Sequence, residues 1–191
     1  DNFYGFRKPI ETIGFSDDSD DTNVRVLEEF DGETVNVIND RLLTANYNDN
    51  GTFTPQAYTI CLPYDMNLSE YVDPGTVKLY QLSFIDKYYD QFVFTNVGDT
   101  IKAGKAYLAV VDRDEVSLNA VNVTIKANAN TENATVVNDY EDWFFNDNLT
   151  RVGQWTGNFK GISATEADQV NMFCLLEDGS WARFTSEDNP D

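Results

Sequence analysis

The chain of 191 residues contains no histidine, and that absence removes a large share of enzyme chemistry. A Ser-His-Asp triad or a Cys-His pair cannot be built without an imidazole. Most catalytic zinc sites need one as well, and the two cysteines, Cys61 and Cys174, cannot supply a four-thiolate structural site. No cofactor and no tightly held transition metal is therefore expected. Basic residues are also scarce: 13 Lys and Arg stand against 33 Asp and Glu, a formal net charge of −20. That charge repels a phosphate backbone and the anionic face of a membrane, so neither nucleic acid nor a membrane surface is an expected partner. Long apolar runs are missing too; none approaches the roughly 20 residues of a membrane helix. What stays open is carboxylate chemistry, chiefly glycoside hydrolysis, and oxygen-ligated calcium.

Cys61 and Cys174 form no CxxC pattern. They pair as one disulfide in an oxidising compartment or stand as two buried thiols, and spacing leaves both readings open. The opening Asp1-Asn2-Phe3, without Met, reads as a mature or trimmed product with no signal peptide.

What the chain does have is 41% hydrophobic and 14% aromatic residues, enough for a real core. Phe and Tyr set among Val, Ile and Thr favour pleated, half-buried surfaces. Residues 1–22, ending in the acidic run Asp17-Asp18-Ser19-Asp20-Asp21, read as a solvated tether or a mobile entry segment. Residues 23–186 read as one domain and 187–191 as a tail.

Within the domain, Val24 to Glu29 alternates with period two, and Thr34 to Ile38 follows the Asp31-Gly32 break, so a hairpin is expected. Strands are expected over Arg41 to Ala45, Ala57 to Leu62, Thr76 to Phe84, Gln91 to Val97 and Thr100 to Lys102. Lys105 to Val111 is apolar on both faces, which suits a central strand. Val121 to Ile125 alternates apolar with polar. Asn128 to Ala134 reads as a long loop, Trp155 to Ile162 as a strand weakened by two glycines, and Ala164 to Gln169 as about one helical turn.

The last hairpin carries the most specific expectation. Asp178-Gly179 between Val170–Glu177 and Ser180–Thr185 suits a two-residue type I′ turn. That register sets Leu176 opposite Trp181, Cys174 opposite Arg183 and Phe173 opposite Phe184. The fold class is then all-β, an antiparallel β-sandwich of Ig-like or jelly-roll-like type with almost no helix. Its expected core is Tyr58, Ile60, Leu62, Leu79, Tyr107, Val110, Phe173 and Phe184.

Candidate sites are few, and no catalytic, cofactor-binding or metal-binding residue is singled out. Asn46, Asn48, Asn50 and Gly51 mimic the opening of an EF-hand loop, but Ala57 falls where the bidentate Glu is required; an Asn-rich turn is the simpler reading. Trp143-Phe144-Phe145 beside Asn146-Asp147-Asn148 is either an aromatic shelf for a sugar ring or a loop folding its rings onto the core. Tyr88-Tyr89 is a second, weaker shelf. Asn-x-Ser/Thr acceptors at Asn50, Asn67, Asn122, Asn133 and Asn148 are frequent in a chain so rich in Asn and Thr. A glycosidase needs two carboxylates at a defined separation, and among 33 acids no pair stands out.

Tyr58-Thr59-Ile60-Cys61-Leu62-Pro63-Tyr64-Asp65, then Val77-Lys78-Leu79-Tyr80, then Ile101-Lys102-Ala103-Gly104-Lys105-Ala106-Tyr107-Leu108 occur in that order. So do Gly157-Asn158-Phe159-Lys160-Gly161 and Phe173-Cys174-Leu175 with Asp178-Gly179-Ser180-Trp181. The set resembles secreted or surface adhesin-like β-sandwich proteins of Bacteroides-type gut bacteria, over about Thr34 to Phe184. Ala106 stands where that pattern commonly has proline, and a further closing strand of the pattern has no counterpart here.

The resemblance implies an extracytoplasmic location, a lipid anchor on the precursor and a non-enzymatic role. It carries no catalytic residues. The expected function is a secreted or cell-surface binding or adhesion module whose ligand is a host glycan, a matrix protein or a sister surface subunit. The alternative is a carbohydrate-binding accessory protein, or one that hydrolyses glycans with carboxylates alone.

Overall fold

The computed structural model describes residues 10–16, 20–49, 51–86, 91–112, 115–137, 151–159, 164–169, 172–176 and 179–183. In chain order the elements begin with β1 (Glu11–Phe15), α1 (Asp20–Phe30), β2 (Thr34–Asn39), β3 (Leu42–Leu43), β4 (Asn46–Tyr47) and β5 (Phe53–Thr54). There follow β6 (Gln56–Cys61), β7 (Met66–Asn67), a 3₁₀ turn (Leu68–Glu70), β8 (Val77–Asp86), β9 (Gln91–Asn96), β10 (Thr100–Ile101) and β11 (Ala106–Val111). The chain continues through β12 (Val116–Ser117), β13 (Ala120–Thr124), β14 (Glu132–Val137), β15 (Arg151–Thr156), α2 (Ala164–Gln169), β16 (Phe173–Leu175) and β17 (Trp181–Arg183). The protein is all-β in class, with mostly antiparallel pairing.

The first departure from expectation lies at the N-terminal end. Val24 to Glu29 is not a strand but part of α1, an 11-residue helix. Val24, Leu27 and Phe30 recur every three residues and Val26 stands four before Phe30, the spacing of one helical face. Leu27 is buried, with Val26 and Phe30 packed beside it.

The tether reading is corrected for residues 11–15 as well. They form β1, paired in parallel with β2 from Glu11↔Val35 to Phe15↔Asn39, and Ile13 is buried. A parallel pair needs a long crossover, and α1 is that crossover. Residues 1–9 and 17–19 lie outside the described residues.

On its other side β2 pairs antiparallel with β13, where Ala120↔Val37 is followed by Val123↔Val35. The extra residue in β13 is a bulge, with Asn122 at φ 54° donating its N–H to Asn36 Oδ1 at 3.1 Å. The bulge breaks the expected strict alternation: Ala120, Val123 and Ile125 are buried, and Val121 is exposed.

The largest sheet has the order β6-β11-β8-β9. β11 is central, as its two apolar faces suggest, with Ala109 and Val111 fully buried. Of the expected core, Ile60, Leu62, Leu79 and Tyr107 are buried, and Tyr58 packs half-buried against them. Val110 is only half-buried, because it sits on the face of β11 away from Tyr107, Ala109 and Val111. Phe173 is 47% exposed, a correction that follows from the hairpin register below. Phe184 lies outside the described residues.

One continuous core joins residues of both larger sheets, among them Val35 and Val37 with Ile60 and Leu79. Tyr64 is buried in it and donates its hydroxyl to Leu118 O at 2.9 Å.

Both described short hairpins use the same loop. In β4–β5, Asn48 N–H reaches Thr52 O and Gly51 N–H reaches Asn48 O, each at 2.9 Å. In β16–β17, Leu176 N–H reaches Ser180 O at 2.8 Å and Gly179 N–H reaches Leu176 O at 2.9 Å. The i to i+3 bond followed by glycine at φ 81° and 82° is a three-residue loop closed by a glycine bulge. The expected two-residue turn at Asp178-Gly179 is thus one residue too short. The register becomes Phe173↔Arg183, Cys174↔Ala182 and Leu175↔Trp181, so Trp181 faces Leu175 rather than Leu176. The candidate calcium loop at Asn46 to Gly51 is the other of these hairpins.

Elsewhere β14 begins at Glu132 inside the stretch expected as a loop. Its partner β15 ends at Thr156, where a strand was expected to begin. α2 has the expected limits.

Asp65 knits the chain just after β6 to two later segments. Lys126 Nζ lies 2.9 Å and Lys102 Nζ 3.8 Å from Oδ2, and Ala103 N–H donates to Oδ1 at 2.8 Å. Burial alone would raise its pKa; the Ala103 N–H and the two ammonium groups outweigh burial and hold the carboxyl below its usual range. A depressed folded-state pKa stabilises above the unfolded value of about 3.9 and is lost as pH falls through the folded one. Asp65→Asn is expected to cost about 1 kcal/mol or less at pH 7, the group being partly solvated. The difference between variant and parent should shrink in urea melts as the pH falls below the ordinary carboxylate range. Gly179→Val is expected to cost about 1–2 kcal/mol through left-handed strain, whereas Ser180→Ala costs much less; thermal melts of the two variants compare them.

Candidate binding cleft

The site begins with a gap in hydrogen bonding. Asp112 N–H bonds Thr76 O, so the even-numbered residues of β11 face β8. Ala106 is even-numbered but lies beyond the last β8 partner, Tyr80 opposite Leu108. Its backbone is buried and must find partners elsewhere. The Asn133 side chain supplies two: Oδ1 accepts from Ala106 N–H and Nδ2 donates to Ala106 O, both at 3.1 Å. Trp155 Nε1 donates to the same carbonyl at 2.8 Å. The β14–β15 hairpin is thereby fastened to the end of the large sheet.

Just beyond, Gly157 passes so close to β6 that no side chain fits. A Cβ there would come within 2.5 Å of Cys61 Sγ and closer still to Gly104 O. Cys61 is a free thiol, so the disulfide alternative does not hold. Burial pushes its pKa up to about 12, against a smaller opposing pull from Asn158 N–H and Lys105. A protonated, enclosed thiol is inert.

Trp155 then anchors an aromatic cluster that brings in β9 and the last hairpin. Phe94 meets Trp155 edge-on at 5.6 Å and stacks with Trp181 at 6.0 Å, their planes 16° apart. Trp155 and Trp181 meet at 5.8 Å, and Phe92 touches Trp181 at 5.4 Å and Phe173 at 6.0 Å. These rings form a second small core on which β16 and β17 rest.

Between that hairpin and β6 lies a cleft of about 450 Å³. Its apolar wall includes Leu62, Trp155, Phe173 and Trp181, and its polar wall Asn23, Asn39, Arg41 and Asn158. Asn23 is held there by clamping Ser16, accepting from its N–H at 3.0 Å and donating to its carbonyl at 2.5 Å. A second hollow of about 510 Å³ continues along β6, sharing Arg41, Thr59 and Leu175 with the first. No Asp or Glu stands among the described lining residues of either.

The residues marked out in the sequence do not converge here. Trp143-Phe144-Phe145 and Tyr88-Tyr89 lie outside the described residues, as do the acceptors Asn50 and Asn148. Asn133 is committed to Ala106, Asn122 sits in a bulge, and Asn67 bonds Ser69 and Glu70. Among the described residues no group of three potential metal ligands occurs, and no helix is long and apolar enough to cross a membrane. Sequence reading missed the cleft because its walls come from distant segments. The one available signal was Gly157, whose close approach fits the observed contact.

Comparison with family models, with curated proteins and with solved structures finds no match to this chain.

Gly157→Ala is expected to destabilise by about 1–3 kcal/mol or more, because backbone rather than a flexible side chain must move. In the same variant the peptide carrying Cys61 should alkylate faster at pH 8 than in the parent, where labelling awaits denaturant; peptide mapping by mass spectrometry reads both.

Proposed function

We propose that the chain is a non-enzymatic binding or adhesion module of the extracytoplasmic cell surface, and that its ligand sits in the cleft between β6 and the C-terminal hairpin. The observation that carries this reading is the composition of the cleft wall. Aromatic and aliphatic surface faces amide groups and one guanidinium, a mixture suited to holding a ligand. Hydrolysis of a glycosidic bond needs two carboxylates about 5–9.5 Å apart, and the described lining has none.

The location rests on the ordered motifs shared with surface adhesin-like proteins. A net charge of −20 suits a β-rich module that must stay dispersed outside the cell. A sandwich arrangement of the two larger sheets would serve as the rigid frame for the cleft.

Carbohydrate binding is a second reading, favoured by Phe173 at the rim beside amide side chains that can bond hydroxyls. A glycan array and a panel of matrix proteins, probed with the purified chain, test both. Phe173→Ala is expected to lower affinity for any ligand found by about tenfold, ~1.4 kcal/mol, with a modest fall in melting temperature from the lost contact with Phe92. Full retention of affinity in that variant would place the ligand elsewhere.

A further inference from the structure

The two hollows beside β6, together called the trough, share Arg41, Thr59 and Leu175, and residues of two strands, β6 and β16, line both. Because even-numbered residues of β11 face β8, the odd-numbered Tyr107, Ala109 and Val111 face β6, and their partners are Ile60, Tyr58 and Gln56. Ala57 and Thr59 therefore turn their N–H and C=O groups outward, into the trough. On the opposite wall, Leu176 N–H bonds Ser180 O, which places Leu176 and Cys174 on the β17 side. Phe173 and Leu175 then turn their backbone groups away from β17, and Leu175 lines both hollows together with Thr59 of β6. Two sets of backbone donors and acceptors confront one gap.

We propose that this trough receives an extended polypeptide segment of a different protein, laid down as a strand between β6 and β16. The inference rests on the binding-module reading and specifies its ligand. Backbone edges recognise another backbone without regard to its sequence, and alternate side chains of the segment supply the selectivity. Along its length the segment would pass Leu62, Phe173 and Trp181 at one end and Asn46 and Gln56 at the other.

Charge selects the source. Two copies of this chain each carry −20, and their mutual repulsion opposes self-assembly. A basic segment gains from the same field, and a neutral one escapes the repulsion.

The aromatic cluster argues against a sugar as the main occupant. Trp181 is already packed by Phe92, Phe94 and Trp155, and Trp155 spends its N–H on Ala106. Little ring face is left for stacking.

The test uses the whole chain and the peptide acetyl-Lys-Thr-Val-Thr-Val-Thr-Val-Thr-Lys-amide, titrated by calorimetry, with a counterpart methylated on the valine nitrogens. The unmodified peptide is expected to bind, and methylation to weaken it at least about tenfold, since it removes donors to one wall. Thr59→Pro removes one outward N–H at an edge where proline is tolerated, and should weaken binding by a similar factor while melting like the parent. Hydrogen exchange should slow at Ala57, Thr59 and Leu175 when peptide is present. If Thr59→Pro fails to fold, the methylated peptide against the unaltered chain decides alone. Equal binding of the two peptides, or none up to about 1 mM, overturns strand addition. Dimerisation of the chain abolished by Thr59→Pro would make a second copy the occupant and overturn the assignment to a different protein. Binding of cellohexaose or a folded matrix protein without peptide binding overturns the strand and leaves the binding-module reading standing.

Discussion

The backbone of Ala106 is the constraint on which the rest of the site depends. It is buried at the end of the central strand, one step past the reach of β8, and water cannot serve it. An unpaired buried amide or carbonyl costs about 1–3 kcal/mol, so some segment must come to it. Asn133 comes from β14 and Trp155 from β15, and their hairpin is carried against the large sheet. An asparagine amide suits the task because it presents a donor and an acceptor side by side, as a neighbouring strand would.

Other features follow from that docking. With Trp155 in place, Gly157 is pressed against Cys61 and Gly104, where only a residue without a Cβ can stand. The Trp155 ring becomes the seat for Phe94 and Trp181, and Trp181 brings the C-terminal hairpin with it. The hairpin leans on rings rather than hydrogen-bonding to β6. The space left between β6 and β16 is the cleft.

The described lining of the cleft sets apolar side chains against amide groups and one guanidinium. Burial holds the Cys61 thiol beside it in the protonated form. The Asp65 carboxylate, held toward ionisation, is engaged by Lys126, Lys102 and Ala103 in a structural network. What the cleft offers is apolar area beside amide polarity.

Local pattern alone determined the all-β class, the central place of β11, the apolar set Ile60, Leu62, Leu79 and Tyr107, and the limits of α2. In each case the deciding interaction lies within a few residues, through period, propensity or a breaking proline or glycine. The same local reasoning mistook Val24 to Glu29 for a strand, because a short apolar run fits period two and period 3.6 alike. It set the last hairpin one residue out, since Asp-Gly serves a two-residue turn and a three-residue bulged loop equally well. Tertiary structure decided that β1 lies parallel to β2, that Val121 is turned out by a bulge, and that Phe173 lies at a rim instead of in the core. It also decided that Asn133, Trp155, Gly157 and Cys61 meet. Those outcomes depend on which distant backbone group lacks a partner, and a position's own residues carry no record of that.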